Sequence, residues 1–288
     1  MRTLTILTPG PFASVQDAGR PGWAHVGVGT SGAADRAAHA LANRLVGNSP
    51  DAATIECLFG GLAVRADADA LVTVTGAPCP VTVNDRAADH HAPLYLAAGD
   101  VLRLGLPDAG LRSYLAVTGG IAVAPVLGSR SWDSLAALGP APLAPGQSLP
   151  LGDSPTDADA RIDHAPVLLP TLAPVVVTVL PGPRADWVHG GTTSLTRRHW
   201  MVSTRSDRVG VRLEGEQLAR ASGFEGAELP SEGVVRGAVQ VPAGGLPVVF
   251  GADHPVTGGY PVVGVVIEAD ADRLAQARPG QVVRFRLG

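Results

Sequence analysis

The sequence contains no lysine, since all 22 residues counted as Lys+Arg in the 288-residue chain are arginines. A chain without lysine forms no Schiff base with a carbonyl substrate and holds no pyridoxal phosphate through one. It also has no lysine-bearing phosphate loop and no lysine to carry biotin. Any phosphate or carboxylate that this chain binds must therefore be held by arginine, backbone amides or a metal ion.

Cysteine and long apolar runs are scarce as well. Cys57 and Cys79 are too few for a disulfide framework and match no zinc motif, so we expect two buried free thiols in the reducing cytoplasm. No run of 18 apolar residues predicts a membrane span, and residues 1–4 do not begin a secretion signal. The net charge of −4 argues against a general nucleic-acid-binding protein.

Turn-forming residues are abundant instead. The 36 glycines and 25 prolines make up about a fifth of the chain, which leaves little room for long helices. Short apolar, β-branched runs recur between them, a pattern typical of an all-β sandwich or barrel. We predict strands at residues 71–75, 81–84, 101–106, 114–118, 175–180, 209–213, 238–241, 248–250, 262–267 and 282–286.

Helical spacing is clear in one segment and weaker in two others. Residues 34–45 have apolar positions at helical spacing, with Asp35 in the first turn and Gly47 as a stop. A second, short helix is predicted over residues 270–277, and residues 193–200 are a candidate for a third.

The two halves of the sequence echo each other. Residues 117–121 (VTGGI) recur as residues 256–260 (VTGGY), and each copy is followed by a Gly-Gln turn, at 146–147 and at 280–281. Residues 99–102 (GDVL) are a further copy of a turn that leads into a strand. The order and spacing of these copies predict two related β-barrels.

We therefore predict a mainly β protein of two tandem barrels with a few short helices. The predicted domains are residues 1–165 and 166–288. The stretch at 149–174, rich in proline, aspartate and alanine, is predicted to connect them, and residues 161–169 inside it could form a strand.

Two loops in the first half carry groups that could line a pocket. Residues 27–32 match GxGxxG and lie just before the first predicted helix. Backbone amides in such a turn and the positive N-terminal end of the helix favour binding of an anion. No βαβ pattern follows, so we expect an anion or carboxylate pocket, or a tight capped loop, rather than a dinucleotide fold. In residues 14–20, Asp17 and Arg20 could pair with each other or line a pocket with Asp35.

Two arginines in the second half could bind an anion. Arg208 and Arg212 lie four residues apart on a predicted strand and hence on one face. Two fixed guanidinium groups suit a carboxylate or a phosphate. The alternative is a solvated strand face.

The densest polar cluster is the segment DHPVTGGY at residues 253–260. Asp253 or His254 could act as a general base, and Tyr260 could orient a substrate. A loop this rich between two apolar strands favours a functional site. The other binding residues predicted here are Gln240, Thr257, Gly258 and Gly259.

Metal and serine-nucleophile chemistry are disfavoured by the sequence. It contains no HExxH, CxxC or GxSxG motif. His90 and His91 are adjacent, so on a strand they would face opposite ways. We predict no metal site.

Nine short motifs follow one another along nearly the whole chain. They lie at residues 15–22, 32–35, 42–48, 112–120, 127–131, 181–183, 207–213, 237–242 and 257–261. In this order they resemble the allophanate hydrolase subunit 2 family, also called the KipA or biotin-dependent carboxyltransferase family. Within it the chain is most similar to the C-type component of prokaryotic 5-oxoprolinase. Pro255 and Val256 depart from the family pattern, which often has Gln and Thr there.

The resemblance implies two cyclophilin-like β-barrels and two protein partners. These would be a KipI-like subunit 1 (B-type) protein and an A-type oxoprolinase subunit. The complex would use ATP, with Mg expected alongside it, to open 5-oxoproline to glutamate. Relatives imply two alternatives: biotin-dependent carboxyl transfer to urea or another small amide, with biotin on another chain, or a non-enzymatic KipA-like antagonist of a kinase inhibitor.

A mechanism follows for the oxoprolinase interpretation. ATP would phosphorylate the lactam oxygen and so activate an unreactive amide. Arg208 and Arg212 would hold phosphate or the substrate carboxylate, while Asp253 or His254 would handle the proton. Asp17, Arg20 and Asp35 would complete the pocket.

Overall fold

The protein is described here by a computed structural model that covers residues 2–153 and 165–288. These residues form two compact units. Unit 1 comprises the described residues of Met1–Arg20, Ser31–Asp133 and Ala137–Thr171. Unit 2 comprises Pro21–Thr30, Ser134–Ala136 and Leu172–Gly288. Two short segments from the first half of the sequence therefore belong to unit 2.

The described part of unit 1 consists of one helix and two antiparallel sheets. The helix is α1 (Arg36–Leu45). The strands are β1 (Thr3–Pro9), β2 (Phe12–Gln16), β3 (Thr54–Leu58), β4 (Leu62–Ala66), β5 (Ala70–Gly76), β6 (Val81–Val83), β7 (Arg86–Ala88), β8 (Leu94–Leu96), β9 (Val101–Leu104), β10 (Arg112–Val117) and β11 (Ser148–Pro150). One sheet has the order β11-β1-β4-β9-β6-β7 and the other β2-β3-β10-β5-β8.

One apolar core joins the two sheets of unit 1. Leu4 and Ile6 are fully buried on alternate positions of β1, as expected for a strand with one face inward. Every residue of β10 is buried, so this strand is covered on both faces. Ile55 and Leu115, from neighbouring strands of the other sheet, belong to the same core as Leu4.

Unit 2 is built on a closed seven-stranded barrel. Its strands follow the order β12-β19-β16-β17-β14-β13-β20, and the parallel pairing of β20 with β12 closes the ring. A separate pair, β15-β18, lies outside the barrel. The strands are β12 (Val175–Pro181), β13 (Trp200–Val202), β14 (Gly210–Glu214), β15 (Glu232–Gly233), β16 (Ala238–Gln240), β17 (Val248–Phe250), β18 (Thr257–Gly258), β19 (Val262–Val266) and β20 (Val282–Leu287).

Short helices and a separate apolar core complete unit 2. The α-helices are α2 (Thr193–Thr196) and α3 (Glu268–Leu274), and single 3-10 turns lie at Ala24–Val26 and Ala185–Trp187. Trp200 is 1% exposed in this core, and its indole N–H donates to the carbonyl of Leu195 at 3.1 Å, so the polar atom of a buried tryptophan is satisfied.

The mainly β fold class is confirmed, and all ten predicted strand runs contain strands. The closed barrel of unit 2 is also confirmed. The described residues of unit 1 form two sheets, so a barrel in that unit stays a prediction. The domain limits at residues 165 and 166 stay predictions as well. The predicted strand over residues 161–169 begins outside the described residues. No described helix is long and apolar enough to cross a membrane.

Two helix predictions need correction. The third helix ends at Thr196 rather than at residue 200, because Trp200 begins β13 and pairs with β20. Asp35 precedes α1 instead of lying in its first turn. Its backbone is extended, and its carboxylate accepts a hydrogen bond from the Ala38 amide at 2.9 Å, the geometry of an N-cap.

The Gly-Gln echo in the sequence is a repeated turn in the structure. Gly146 and Gly280 have φ of 81° and 82°, a region that favours glycine. A glutamine follows each glycine, and its side-chain oxygen accepts a hydrogen bond from the backbone amide three residues before that glutamine. The distance is 3.1 Å for Gln147 and 3.0 Å for Gln281. Asp100 repeats this bond at 2.8 Å. Each turn leads into a strand, so units 1 and 2 share one local device.

Candidate functional site

A buried ion pair anchors the start of the polar loop at residues 253–260, within unit 2. Arg208 Nε donates to Asp253 Oδ2 at 2.8 Å, and Arg208 Nη2 donates to Oδ1 at 2.9 Å. The arginine is 6% exposed and the aspartate 1%. Ser134 adds hydrogen bonds from its amide (2.9 Å) and its hydroxyl (2.7 Å) to Oδ2. The loop is thus fixed at its base to two other segments.

This arrangement favours a positioning function for both charged residues. A two-pronged arginine–carboxylate pair fixes orientation as well as distance. Four donors already engage the Asp253 carboxylate, and two of the guanidinium nitrogens of Arg208 are directed at it. The proton-transfer function predicted for Asp253 and the anion-binding function predicted for Arg208 stay predictions that this pairing does not favour.

Arg212 does not share a strand face with Arg208. β14 begins at Gly210, so Arg208 lies in the bend before the strand and is buried, whereas Arg212 lies within the strand and is exposed. The prediction that two guanidinium groups project from one face is therefore wrong, because the strand starts after Arg208.

The tip of the loop packs closely on Gln240. The Gln240 side-chain amide donates to the carbonyl of Tyr260 at 3.0 Å. A Cβ at Gly258 would lie 2.6 Å from the same amide nitrogen, so a side chain at position 258 would displace the end of Gln240. The structure thus brings together Gln240, Gly258 and Tyr260, as the sequence led us to expect. Thr257 and Tyr260 are exposed beside them.

An ion pair that the sequence analysis missed borders this tip. Glu232 on β15 is the register partner of Gly258. Arg184 Nε lies 3.1 and 3.0 Å from the two carboxylate oxygens of Glu232. These hydrogen bonds lower the pKa of Glu232 and raise the pKa of Arg184. The available signal was the motif at residues 181–183, which ends directly before Arg184.

His254 is oriented by the backbone of the loop. Its Nδ1 lies 2.7 Å from the carbonyl of Pro255. A carbonyl accepts a hydrogen bond, so in the neutral imidazole the proton sits on Nδ1 and Nε2 is the basic atom. A Cβ at Gly29 would lie 3.0 Å from the His254 carbonyl, which shows that the first part of the GxGxxG segment packs against this loop.

One amide at the start of α1 is bound by the chain itself. The Asp35 carboxylate accepts a hydrogen bond from the Ala38 amide, so this first-turn amide is not open to an external anion, and the anion pocket at residues 27–32 stays a prediction. The Asp35 backbone amide donates to the Tyr114 hydroxyl at 2.8 Å, which in turn donates to Glu56 at 2.8 Å. Burial raises the pKa of Tyr114 well above its usual value. This network, which the sequence analysis missed, sets the position of α1.

Asp17 binds a neighbouring loop of unit 1. Its carboxylate accepts hydrogen bonds from the hydroxyls of Ser129 and Ser131, both at 2.6 Å. The backbone amides of Arg130 (2.5 Å) and Gly19 (2.8 Å) complete the set. All of these donors are neutral, and Asp17 is buried.

Arg20 is paired with a different acid from the one expected. Its Nη1 lies 3.7 Å from Asp133, and its Nη2 donates to the carbonyl of Ser131. The alternative in which Asp17 and Arg20 pair with each other is therefore wrong for the described residues. Asp17, Arg20 and Asp35 all belong to unit 1 and have structural partners there, and their contribution to a substrate pocket stays a prediction.

The loop tip presents several polar groups that could bind a ligand. A phenol, a hydroxyl, an amide and a carboxylate surround a glycine pair, and such groups suit a small ligand with both donors and acceptors. In residues 2–153 and 165–288, no cluster of three or more His, Cys, Asp or Glu side chains could hold a metal ion.

Residues 26–287 match the family model described as carboxyltransferase domain, subdomain A and B. The C-type component of 5-oxoprolinase from Escherichia coli is 38% identical over 98% of this chain and 90% of its own length. The corresponding 5-oxoprolinase component of Haemophilus influenzae is 31% identical over 98% and 90%. Urea amidolyase of Lachancea kluyveri is 31% identical over 97% of this chain, which spans 16% of that protein.

Solved structures are similar over almost the entire chain. The crystal structure of TTHA0988 has a TM-score of 0.88 and 32% identity, covering 99% of this chain and 56% of that one. Urea carboxylase of Kluyveromyces lactis has a TM-score of 0.84 and 28% identity, and this chain spans 27% of it. The chain thus matches little more than half of the first of these proteins and about a quarter of the second. The resemblance drawn from the nine motifs is confirmed.

Proposed function

The chain belongs to the family of the carboxyltransferase domain, subdomain A and B, and we propose that it is the C-type component of an ATP-dependent 5-oxoprolinase. The observation that carries the proposal is the 38% identity to the Escherichia coli component over 98% of this chain and 90% of that protein. The enzyme would hydrolyse the lactam of 5-oxoproline to glutamate and couple this to ATP hydrolysis. We also propose that both units are cyclophilin-like barrels.

The proposal includes two protein partners, a KipI-like subunit 1 of B type and an A-type subunit. Support comes from the names of the two bacterial relatives, each of which is one subunit of an oxoprolinase. An unreactive amide needs activation before water attacks it, and this chain alone offers no metal cluster in its described residues. Activity is therefore expected only in the assembled complex.

In this proposal the exposed loop tip binds the substrate. The Tyr260 hydroxyl and the Thr257 hydroxyl would hydrogen-bond the lactam, and His254 Nε2 would accept a proton from the attacking water. The ion pair between Arg208 and Asp253 would hold the loop in place. Because the pair acts through the loop, its two residues are positioning residues.

Arg208 and Arg212 are the residues predicted to hold phosphate or the substrate carboxylate. Arg208 is directed at Asp253, and Arg212 lies exposed on β14, so the two guanidinium groups do not converge. The proposal therefore places the binding of ATP and its magnesium ion on the A-type partner. This chain would bind, orient and cover the lactam.

The decisive experiment is 5-oxoproline-dependent ATP hydrolysis by the three mixed subunits, each omitted in turn. We expect turnover that disappears when this chain is left out. Absence of turnover in a mixture whose subunits bind each other would contradict the proposal.

A pair of matched variants tests the loop tip in the same assay. Tyr260→Phe removes an exposed hydroxyl from the loop tip, and loss of one substrate hydrogen bond should lower kcat/KM about tenfold. Tyr95→Phe removes an exposed hydroxyl of unit 1 and serves as the control, with activity unchanged. Equal activity of the two variants would show that the Tyr260 hydroxyl does not bind the substrate.

A second candidate function is carboxyl transfer to urea or another small amide. The match to urea amidolyase, 31% identical over 97% of this chain, favours it. A biotin carrier on another protein would be required, since this sequence has no lysine. Transfer of labelled carboxyl from carboxybiotin to urea in place of oxoproline turnover would favour this function.

A further inference from the structure

A cavity lies in unit 2, and none of its lining residues belongs to the 253–260 loop. Its volume is about 290 Å³, near the lower end of the range for small-molecule pockets. The wall is formed by the turn before α2, by α2 and the residues that follow it, and by the segment after β14. The lining residues are His189, Gly190, Ser194, Arg197, Arg198 and Glu216.

One arginine of the cavity, Arg198, makes two hydrogen bonds within the protein. Arg198 Nη1 donates to the carbonyl of Ser194 at 3.1 Å, and Nη2 donates to Glu216 Oε1 at 2.9 Å. Its Nε is buried with no partner in the described chain. The Arg198 guanidinium faces one carboxylate, Glu216, whose side chain is 74% exposed. Because exposed ion pairs are weak, this carboxylate compensates the positive charge only in part.

The second arginine has no such partner. Arg197 is exposed, and no described residue forms an ion pair or hydrogen bond with its side chain; the same holds for the exposed imidazole of His189. Two arginines and a histidine thus line the cavity against one acid, Glu216. The cavity has a net positive charge and unused hydrogen-bond donors.

From this geometry we propose that the cavity binds a small oxyanion, a phosphate or carboxylate group, through Arg197 and Arg198. Guanidinium groups match the planar, paired oxygens of such anions better than ammonium groups do. The bond from Arg198 Nη1 to the Ser194 carbonyl, which does not involve Glu216, reduces the ordering that binding requires. The site extends beyond the proposed oxoprolinase function, since it lies on this chain alone and needs none of the partners.

The test is calorimetric titration of the full chain alone with inorganic phosphate and, separately, with acetate. Ionic strength is held constant with chloride, because exposed charges are screened by salt. We expect saturable binding of at least one anion, and the preferred anion identifies the ligand class. Arg197→Gln should weaken that binding at least tenfold, which is about the effect of losing one charge-assisted hydrogen bond.

A matched variant controls for net charge. Arg205 lies in an exposed turn of unit 2 outside the cavity, so Arg205→Gln makes the same charge change and should alter affinity less than twofold. Glu216→Gln removes the competing acid and should tighten binding about threefold, by the size expected for an exposed ion pair.

Three results would overturn the proposal. The first is no saturable binding of either anion, and the second is an equal loss in Arg197→Gln and Arg205→Gln, which would indicate a diffuse charge effect. The third is weaker binding in Glu216→Gln. None of these results depends on oxoprolinase turnover, so failure of this proposal and failure of the proposed function are separable.

Discussion

Each unit contains a buried aspartate that ties a loop in place, but the two carboxylates are bound by different donors. Asp17 of unit 1 accepts hydrogen bonds from two serine hydroxyls and two backbone amides. Asp253 of unit 2 accepts from both edges of the Arg208 guanidinium and from Ser134. The first carboxylate is balanced by dipoles and the second by an opposite charge.

Because their donors differ, the two anchors should respond differently to loss of the aspartate. Loss of Asp17 leaves neutral groups that can rotate or find water, whereas loss of Asp253 leaves a buried guanidinium without its counter-charge. The charged fork also fixes the direction of its loop, which neutral donors do less strictly. The loop in unit 2, whose tip carries the candidate binding residues, is therefore the more rigidly oriented of the two.

The largest effect is expected from Asp253→Ala. Breaking a buried pair by removing one partner costs about 3–5 kcal/mol of unfolding free energy. Urea denaturation followed by tryptophan fluorescence measures this loss. The double variant Asp253→Leu with Arg208→Met removes both charges and should recover most of it.

Asp17→Ala is the matched control for that comparison. Because its partners are neutral, we expect a loss of about 1–3 kcal/mol. A loss in Asp17→Ala as large as that in Asp253→Ala would show that the nature of the donor does not decide the cost.

An intermediate loss of stability is expected in mild acid, and it should arise in unit 1, which contains His90. Burial, and secondarily the neighbouring His91, lowers the pKa of His90 from 6.5 to about 4. The unfolded chain then takes up a proton more readily than the folded one, so stability is complete above pH 6.5 and falls as the pH drops towards 4. Between pH 7 and pH 5 the loss should be about 2 kcal/mol.

Denaturation curves at pH 7, 6 and 5 measure that loss. Burial also lowers the pKa of His39 in unit 1, which adds in the same direction. In His90→Gln the pH dependence over this window should become shallower. An unchanged pH dependence in that variant would show that His90 does not titrate as its burial indicates.

The smallest effect is expected where the two units are alike. Gly146 and Gly280 occupy the same turn, and a Cβ at either position meets no atom within 4 Å. The cost of alanine is then the backbone strain of a positive φ, about 1 kcal/mol in each unit. Thermal unfolding of Gly146→Ala and Gly280→Ala should give losses that agree within about 0.5 kcal/mol. A large difference would show that the shared turn is used differently.

Local pattern was enough to predict most of the architecture. Runs such as 71–75 and 262–267 are apolar, β-branched and bounded by turn residues, and they are strands in the structure. The Gly-Gln echo was visible for the same reason, since the turn depends on glycine and on the side chain that follows it. The start of β14 after Arg208 was not visible, because the buried partner of that arginine lies 45 residues away.

The candidate site was predicted by residue type but not by pairing. Gln240 and Tyr260 do meet at the loop tip, whereas Asp253 binds Arg208 at the loop base. Whether an acid acts on substrate or binds an arginine depends on long-range contacts, and a single sequence does not display those. Glu232 escaped notice because its short strand pairs outside the barrel and has no apolar pattern.

The distribution of unit 2 along the chain has a consequence for synthesis on the ribosome. Residues 21–30 and 134–136 leave the tunnel long before the barrel strands with which they are grouped. Ser134 precedes its acceptor Asp253 by 119 residues. At roughly 5–20 residues per second, about 6–24 s pass between the synthesis of Ser134 and the synthesis of Asp253. During that interval the nascent chain must keep these segments accessible, and the barrel can only close once β20 (Val282–Leu287) has been synthesised.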